Sequence, residues 1–282
     1  MRIVTIDTTL LFDCPQTLSA KTGKLQMFRM YAFTILIAMH LNPQWASAEE
    51  RPFPMTFDWG RIVTTSATVE LLVESLPEDR LIRIPRFNNP YKRIFLKSDA
   101  TKDQLQFKPE VSDWLITLPD SAKTPTTIVI QTVGPPRLLN QPFVTEPNRK
   151  GEFVLPAHHA VVHGKLLRYE PQPHKNTVGY WANEMDWCEW QIEAKQPGKY
   201  EVRILQGCGK GHGGSAVQIT LGESELTFIV EDTGHFQNFK KRDLGTLEIK
   251  APGQQSLKVV PLSKAKGAVM DVRQIRLVPV HS

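Results

Sequence analysis

The sequence predicts an all-β chain built from two antiparallel β-sandwich (jelly-roll-like) domains in tandem. Three observations predict it. Beyond residue 51 apolar residues recur at every second position in short runs, prolines and glycines fall between those runs, and no stretch carries the period of an ordinary helix. With 282 residues, 41% of them hydrophobic and 22% charged, the chain can bury two cores and falls outside the disordered and fibrous classes.

The first 48 residues read as an export signal. Lys24 and Arg29 precede an apolar run from Tyr31 to Leu41, and Ala46-Ser47-Ala48 supplies the small-residue pattern for cleavage after Ala48. That run falls short of the ~20 residues a membrane span needs, so the expected location is secreted or periplasmic, with no membrane partner. The basic region follows more than 20 ordinary residues, which leaves Met27 and Met30 as alternative starts.

From 51 to 139 the runs Val69–Val73, Leu81–Ile84, Arg93–Leu96, Trp114–Leu118 and Ile128–Ile130 read as strands. Pro77, Pro85, Pro90, Pro109, Pro119 and Pro125 stand between them, where a missing backbone donor breaks no ladder bond. Residues 140–150 are polar, hold two prolines and show no period, and are read as the linker. From 151 to 282 alternation returns in Trp187–Ile192, Tyr200–Ile204, Val217–Leu221, Leu226–Val230, Leu244–Ile249, Leu257–Val260 and Val269–Leu277.

Motif order then suggests two families. Trp59-Gly60-Arg61, Leu76-Pro77-Glu78-Asp79, Ile94 to Asp99, Trp114 to Pro119 and Thr127 to Ile130 together resemble the C-terminal β-sandwich of family 29 α-L-fucosidases, over about residues 57–137. In that family two carboxyl groups in an upstream barrel perform the hydrolysis, and so few residues separate the signal from Trp59 that no barrel is expected. Asp186-Trp187-Cys188-Glu189-Trp190, Pro197-Gly198-Lys199-Tyr200, Thr233 to Phe239 and Met270-Asp271-Val272 are similar in order to family 6 carbohydrate-binding modules, over about residues 152–280. That resemblance implies a jelly roll that binds glycans. Such modules often hold a structural calcium through acids on the first strand, but Phe153–His159 has no acid pair there; no metal and no cofactor is expected.

A sugar ring needs an aromatic platform for its C–H face and polar groups for its hydroxyl rim. Tyr180, Trp181, Asn183 and Glu184 supply both within one loop, and His235, Phe236 and Asn238 supply them in a second. Each group has a bland alternative: Tyr180 and Trp181 are open to exposure or burial, and Phe236 or Phe239 could staple its loop to the core. Alternation assigns Cys188, Trp190 and Ile192 to one buried face. The expected site is a rim cleft between the loops 180–184 and 235–239.

The stretch Gly207–Gly214 formally contains GxGxxG from Gly209, but alternation after it reads as a strand, and a dinucleotide site needs a helix there. Lys210 and His212 within it either form a solvated turn or meet a sulfated or uronic-acid sugar. His159 and His163 stand four apart, about 13 Å on a strand, too far for one ion. No G-x-S-x-G elbow exists and no catalytic residue is assigned.

The formal charge of +5 is spread along the chain, Lys240-Lys241-Arg242 being the only run, and is read as a solvated turn rather than a nucleic-acid footprint. Two cysteines, Cys188 and Cys208, remain after Cys14 leaves with the signal. A hairpin turned at Gln196-Pro197-Gly198 would set Cys188 opposite Ile204, with Cys208 about 13 Å farther along, so both are expected to be free thiols.

The function these observations point to is a secreted, non-catalytic carbohydrate-binding protein. The alternative is an accessory C-terminal portion of an α-L-fucosidase, related hydrolase or sulfatase that works with a separate catalytic chain. A structural sandwich pair for cell-surface protein contacts is a third class, separable by glycan binding.

Overall fold

The computed structural model describes residues 51–139 and 141–280. The export-signal region, with Cys14 and the alternative starts Met27 and Met30, lies outside the described residues. All regular structure described is strand, apart from a three-residue 3-10 turn at Ala157–His159.

The first eight strands are β1 (Arg51–Pro52), β2 (Gly60–Thr64), β3 (Thr68–Val73), β4 (Leu81–Pro85), β5 (Tyr91–Leu96), β6 (Gln106–Pro109), β7 (Asp113–Thr117) and β8 (Thr126–Thr132). They form a five-stranded sheet, β1-β2-β3-β8-β5, and a three-stranded sheet, β4-β7-β6, with antiparallel pairing throughout. Alternation explains the core: Val69, Leu71 and Val73 of β3 are fully buried between partly exposed neighbours, and they share one cluster with Ile82, Ile84, Trp114 and Ile116.

Twelve further strands follow: β9 (Val144–Thr145), β10 (Phe153–Pro156), β11 (Val161–His163), β12 (Arg168–Glu170), β13 (Thr177–Gly179), β14 (Trp187–Ala194), β15 (Gly198–Cys208), β16 (Ala216–Leu221), β17 (Ser224–Ile229), β18 (His235–Ile249), β19 (Gly253–Ser263) and β20 (Asp271–Pro279). One sheet runs β12-β13-β20-β15-β18 with β10 on β20; the other runs β11-β14-β19-β16-β17 with β9 parallel to β14. Between them lies a second core, in which Cys188, Trp190 and Ile192 of β14 face Val202, Ile204 and Ile275 of the opposite sheet.

Four sequence expectations are corrected here. Strands β14 and β15 are not a hairpin: they lie in opposite sheets, β14 pairing with β11 and β19 and β15 with β18 and β20. Both cysteines are nevertheless free and buried, and burial raises Cys208 to about 11 and Cys188 higher still. Lys240-Lys241-Arg242 is not a turn but the middle of β18, where the Arg242 side chain bonds Gln206 and Glu231. His235–Phe239 is likewise the start of β18 rather than a loop, and the strand expected over Phe153–His159 breaks after Pro156 into the 3-10 turn.

The stretch 140–150 carries β9, whose Val144 and Thr145 sit beside Gln191 and Ile192. Three side chains of the first sandwich reach backbone carbonyls of the second. Arg86 donates to Tyr169 O, Asn88 Nδ2 to Ala160 O at 3.0 Å, and Arg137 to His158 O at 2.6 Å. Arg86 and Asn88 are both fully buried.

Candidate functional site

At one end of the second sandwich lies a cavity of about 250 Å³, lined by Glu170, Lys175, Tyr180, Trp181, Ala182, Phe236, Gln237, Ala268 and Asp271. Three of the sequence-selected residues, Tyr180, Trp181 and Phe236, meet on it.

Tyr180 forms the exposed wall. It stands in the left-handed region, at φ +58°, where a bulky side chain is held only by its surroundings. The Ala182 N–H bonds the Tyr180 carbonyl at 2.8 Å, and the Arg168 guanidinium lies over its ring at 3.4 Å. Half of the side-chain surface still faces solvent. Trp181 resolves the open alternative differently: it is buried, and its indole Nε1 donates to Asp186 O at 2.8 Å. Its role at the cavity is a core wall rather than a free platform.

Phe236 is half-buried at the start of β18. Gly209 makes room for it, since a Cβ there would stand 2.5 Å from the Phe236 ring. The His212 ring backs Phe236 at 5.5 Å from outside the cavity lining.

The floor holds residues that sequence reasoning did not select. Glu170 is buried and ion-pairs with Lys175 at 2.7 Å. Asp271 is buried beside it: a Cβ on Gly179 would lie 2.9 Å from Asp271 Oδ1 and 3.0 Å from Glu170 Oε2, so only glycine lets the chain pass these two carboxyls. Burial first, and then the charge of Glu170, push the Asp271 carboxyl up to about 8; Lys175, a hydrogen bond from Gln237 and Arg273 pull the other way. At neutral pH this carboxyl keeps its proton and can donate a hydrogen bond, while Glu170 accepts. Within the floor the charges of Glu170 and Lys175 then cancel.

The remaining selected residues lie off the cavity. Asn183 donates to Asp186 Oδ1 at 2.9 Å, and Glu184 is exposed. Lys210 is exposed near Asp232; the His235 ring accepts from Gln237 N at 3.1 Å, and Asn238 donates to Thr233 O. Asp186 itself is a loop anchor: burial would raise its carboxyl, but the N–H groups of Leu167, Lys165 and Leu166 at 2.8–2.9 Å hold it below the ordinary range. His159 stacks on Phe143, whereas His163 stacks on Trp187 and bonds Glu189, so the two rings serve separate contacts.

Asp271 carried a weak sequence signal, an acid directly after the apolar Ala268-Val269-Met270. Glu170 and Lys175 carried none, because only the fold brings β12 and the loop after it to the start of β20.

Larger hollows of about 540, 950 and 330 Å³ open on the first sandwich, and one of about 330 Å³, without aromatic side chains, on the second. The hollow of about 540 Å³ has Phe57 and Trp59, stacked on each other at 4.8 Å with Trp59 buried; that of about 950 Å³ has no aromatic side chain.

No protein-family model and no curated protein matches the chain. Among solved structures there is distant similarity to an α-L-fucosidase from Vibrio sp. strain EJY3, with 15% identity, 82% of this chain, 42% of that chain and a TM-score of 0.33. A family 35 carbohydrate-binding module from Clostridium thermocellum is similar over 46% of this chain and 98% of its own, at 13% identity and a TM-score of 0.37. The C-terminal family 6 module of LamC, a laminarinase from Zobellia galactanivorans, gives 20% identity over 45% of this chain and 98% of its own, with a TM-score of 0.37. The chain thus spans less than half of the fucosidase it matches. TM-scores this low carry no argument about function.

Proposed function

We propose that the chain is an exported, non-catalytic carbohydrate-binding protein whose second sandwich takes a single sugar ring in the cavity beneath Tyr180. One observation carries this reading: an exposed aromatic wall and a buried floor of paired hydrogen-bonding groups meet on a cavity of about 250 Å³. Tyr180 offers its ring to the C–H face, Glu170 accepts from a hydroxyl, and protonated Asp271 and Gln237 donate. The floor favours an uncharged sugar. A sulfate or uronate entering it would meet Glu170, and the two cationic candidates Lys210 and His212 lie outside the lining.

The test is binding of a panel of neutral and acidic glycans by the wild-type chain and by Tyr180→Ala. The reading expects neutral glycans to be retained by the wild type and lost by the variant. Retention of acidic glycans alone, abolished by Lys210→Ala, would move the site to the Gly207–Gly214 loop.

A further inference from the structure

The first sandwich bears on the cavity without touching it. Strand β12, which supplies Arg168 and Glu170, is three residues long and, among the described residues, has one sheet partner, β13. Its other edge offers unpaired backbone groups, the ordinary weakness of an edge strand. The Arg86 guanidinium meets that edge. It donates to Tyr169 O in the middle of β12, and to Glu110 O at 2.7 Å and Val111 O at 3.3 Å in the turn before β7. Arg86 is fully buried, so its charge is solvated by these carbonyls instead of water. Side chains alternate along β12: Tyr169 enters the core, while Arg168 covers Tyr180 and Glu170 pairs with Lys175. Whatever fixes the Tyr169 carbonyl therefore fixes both neighbours at the cavity.

We propose that Arg86 is a positioning residue for the cavity: the first sandwich clamps the free edge of β12 and thereby holds Glu170 and the Arg168–Tyr180 stack in place. The sugar-binding part of this inference rests on the function proposed above; the clamp itself does not. It gives the fucosidase-like sandwich a task in a chain read as non-catalytic, that of a brace for its neighbour's binding end.

The test uses the full chain with Arg86→Met, Arg86→Lys and, as a comparator, Leu71→Ala, which disturbs the first core on β3, in the sheet that does not carry the Arg86 contacts. Amide exchange of residues 168–170 and 177–181 and the carboxyl-carbon titration of Asp271 are followed by NMR, and binding is read with methyl α-L-fucoside and methyl β-glucoside. Arg86→Met should speed exchange in those two segments at least tenfold, move the Asp271 titration and weaken whichever glycoside binds by at least tenfold. Arg86→Lys should recover part of each, and Leu71→Ala, at equal loss of melting temperature, should move none. Equal behaviour of Arg86→Met and Leu71→Ala at β12 and Asp271 overturns the clamp. If Arg86→Met does not fold, the same comparison is made with Arg86→Lys, whose one nitrogen replaces the two that reach Tyr169 O on one side and the Glu110 and Val111 carbonyls on the other. If neither glycoside binds the wild type, the binding function is what fails, and exchange and titration still decide the clamp.

Discussion

Replacing Asp271 by Asn keeps the shape of the cavity floor and removes its titration. In the unfolded chain this carboxyl has its ordinary value of 3.8, and in the fold it stands at about 8. Between those values the folded state holds a proton that the unfolded state has released, so stability falls as pH rises. That contribution is complete below 3.8 and lost as pH passes through about 8. Each tenfold step is worth about 1.4 kcal/mol, so the whole interval from 3.8 to about 8 amounts to roughly 6 kcal/mol, less whatever the floor recovers by taking in water. Between pH 6 and pH 9 the Asn variant should gain about 2–3 kcal/mol over the wild type. Urea unfolding of both proteins at the two pH values measures it; titrations of groups that do not interact with Asp271 cancel in the difference. Parallel stability curves would show that Asp271 is ionised throughout, and the donor role assigned to it would be wrong.

Trp181→Ala should cost about 3–5 kcal/mol as a core truncation, with the loss of its bond to Asp186 O added; thermal unfolding checks this, and an unchanged melting temperature would return Trp181 to the surface. Burial holds His158 at about 4 and His159 at about 3. Both are depressed below the unfolded value, so their stabilising effect is present above pH 6.5 and is lost as pH falls through about 4 for His158 and about 3 for His159. His159→Phe, which keeps a ring against Phe143, should flatten that acid-side loss in a urea series. In a chain beginning at Glu49, a thiol reagent should find no reactive cysteine until the protein is denatured and two thereafter, and the intact mass should not change on reduction.

How far the sequence carried the structure depended on whether the information was local. The period-two pattern of Trp187–Ala194 gave the buried face of β14 residue by residue, because a strand's two faces follow from spacing alone. The partner of that strand did not follow. Gln196-Pro197-Gly198 reads as a hairpin turn, yet the chain uses it to cross between sheets, a choice made by the packing of the whole second core. The same limit applied to the candidate site. Tyr180 and Phe236 were legible as aromatics in segments joining or opening strands, and the fold does bring both to one cavity. Glu170 and Lys175 were not, and Asp271 was only weakly so: charged residues on a strand, as Glu170 and Asp271 are, or in a loop, as Lys175 is, ordinarily face water, and only tertiary packing brings these three together. Lys210 and His212 lie outside the cavity lining; in their glycine-rich loop Gly207 and Gly209 make room for Phe236, a close approach that spacing alone does not show.

The central claim is that the cavity beneath Tyr180 binds an uncharged sugar. The most direct measurement is a glycan array probed with the wild-type chain, Tyr180→Ala and Lys210→Ala. Tyr180 is half exposed and outside both cores, so its loss should leave the melting temperature unchanged and reduce neutral-glycan binding by one to two orders of magnitude, by analogy with aromatic stacking losses of ~1–3 kcal/mol. Lys210→Ala should bind as the wild type does. An array on which the wild type retains no glycan, or on which Tyr180→Ala binds undiminished, would contradict the account.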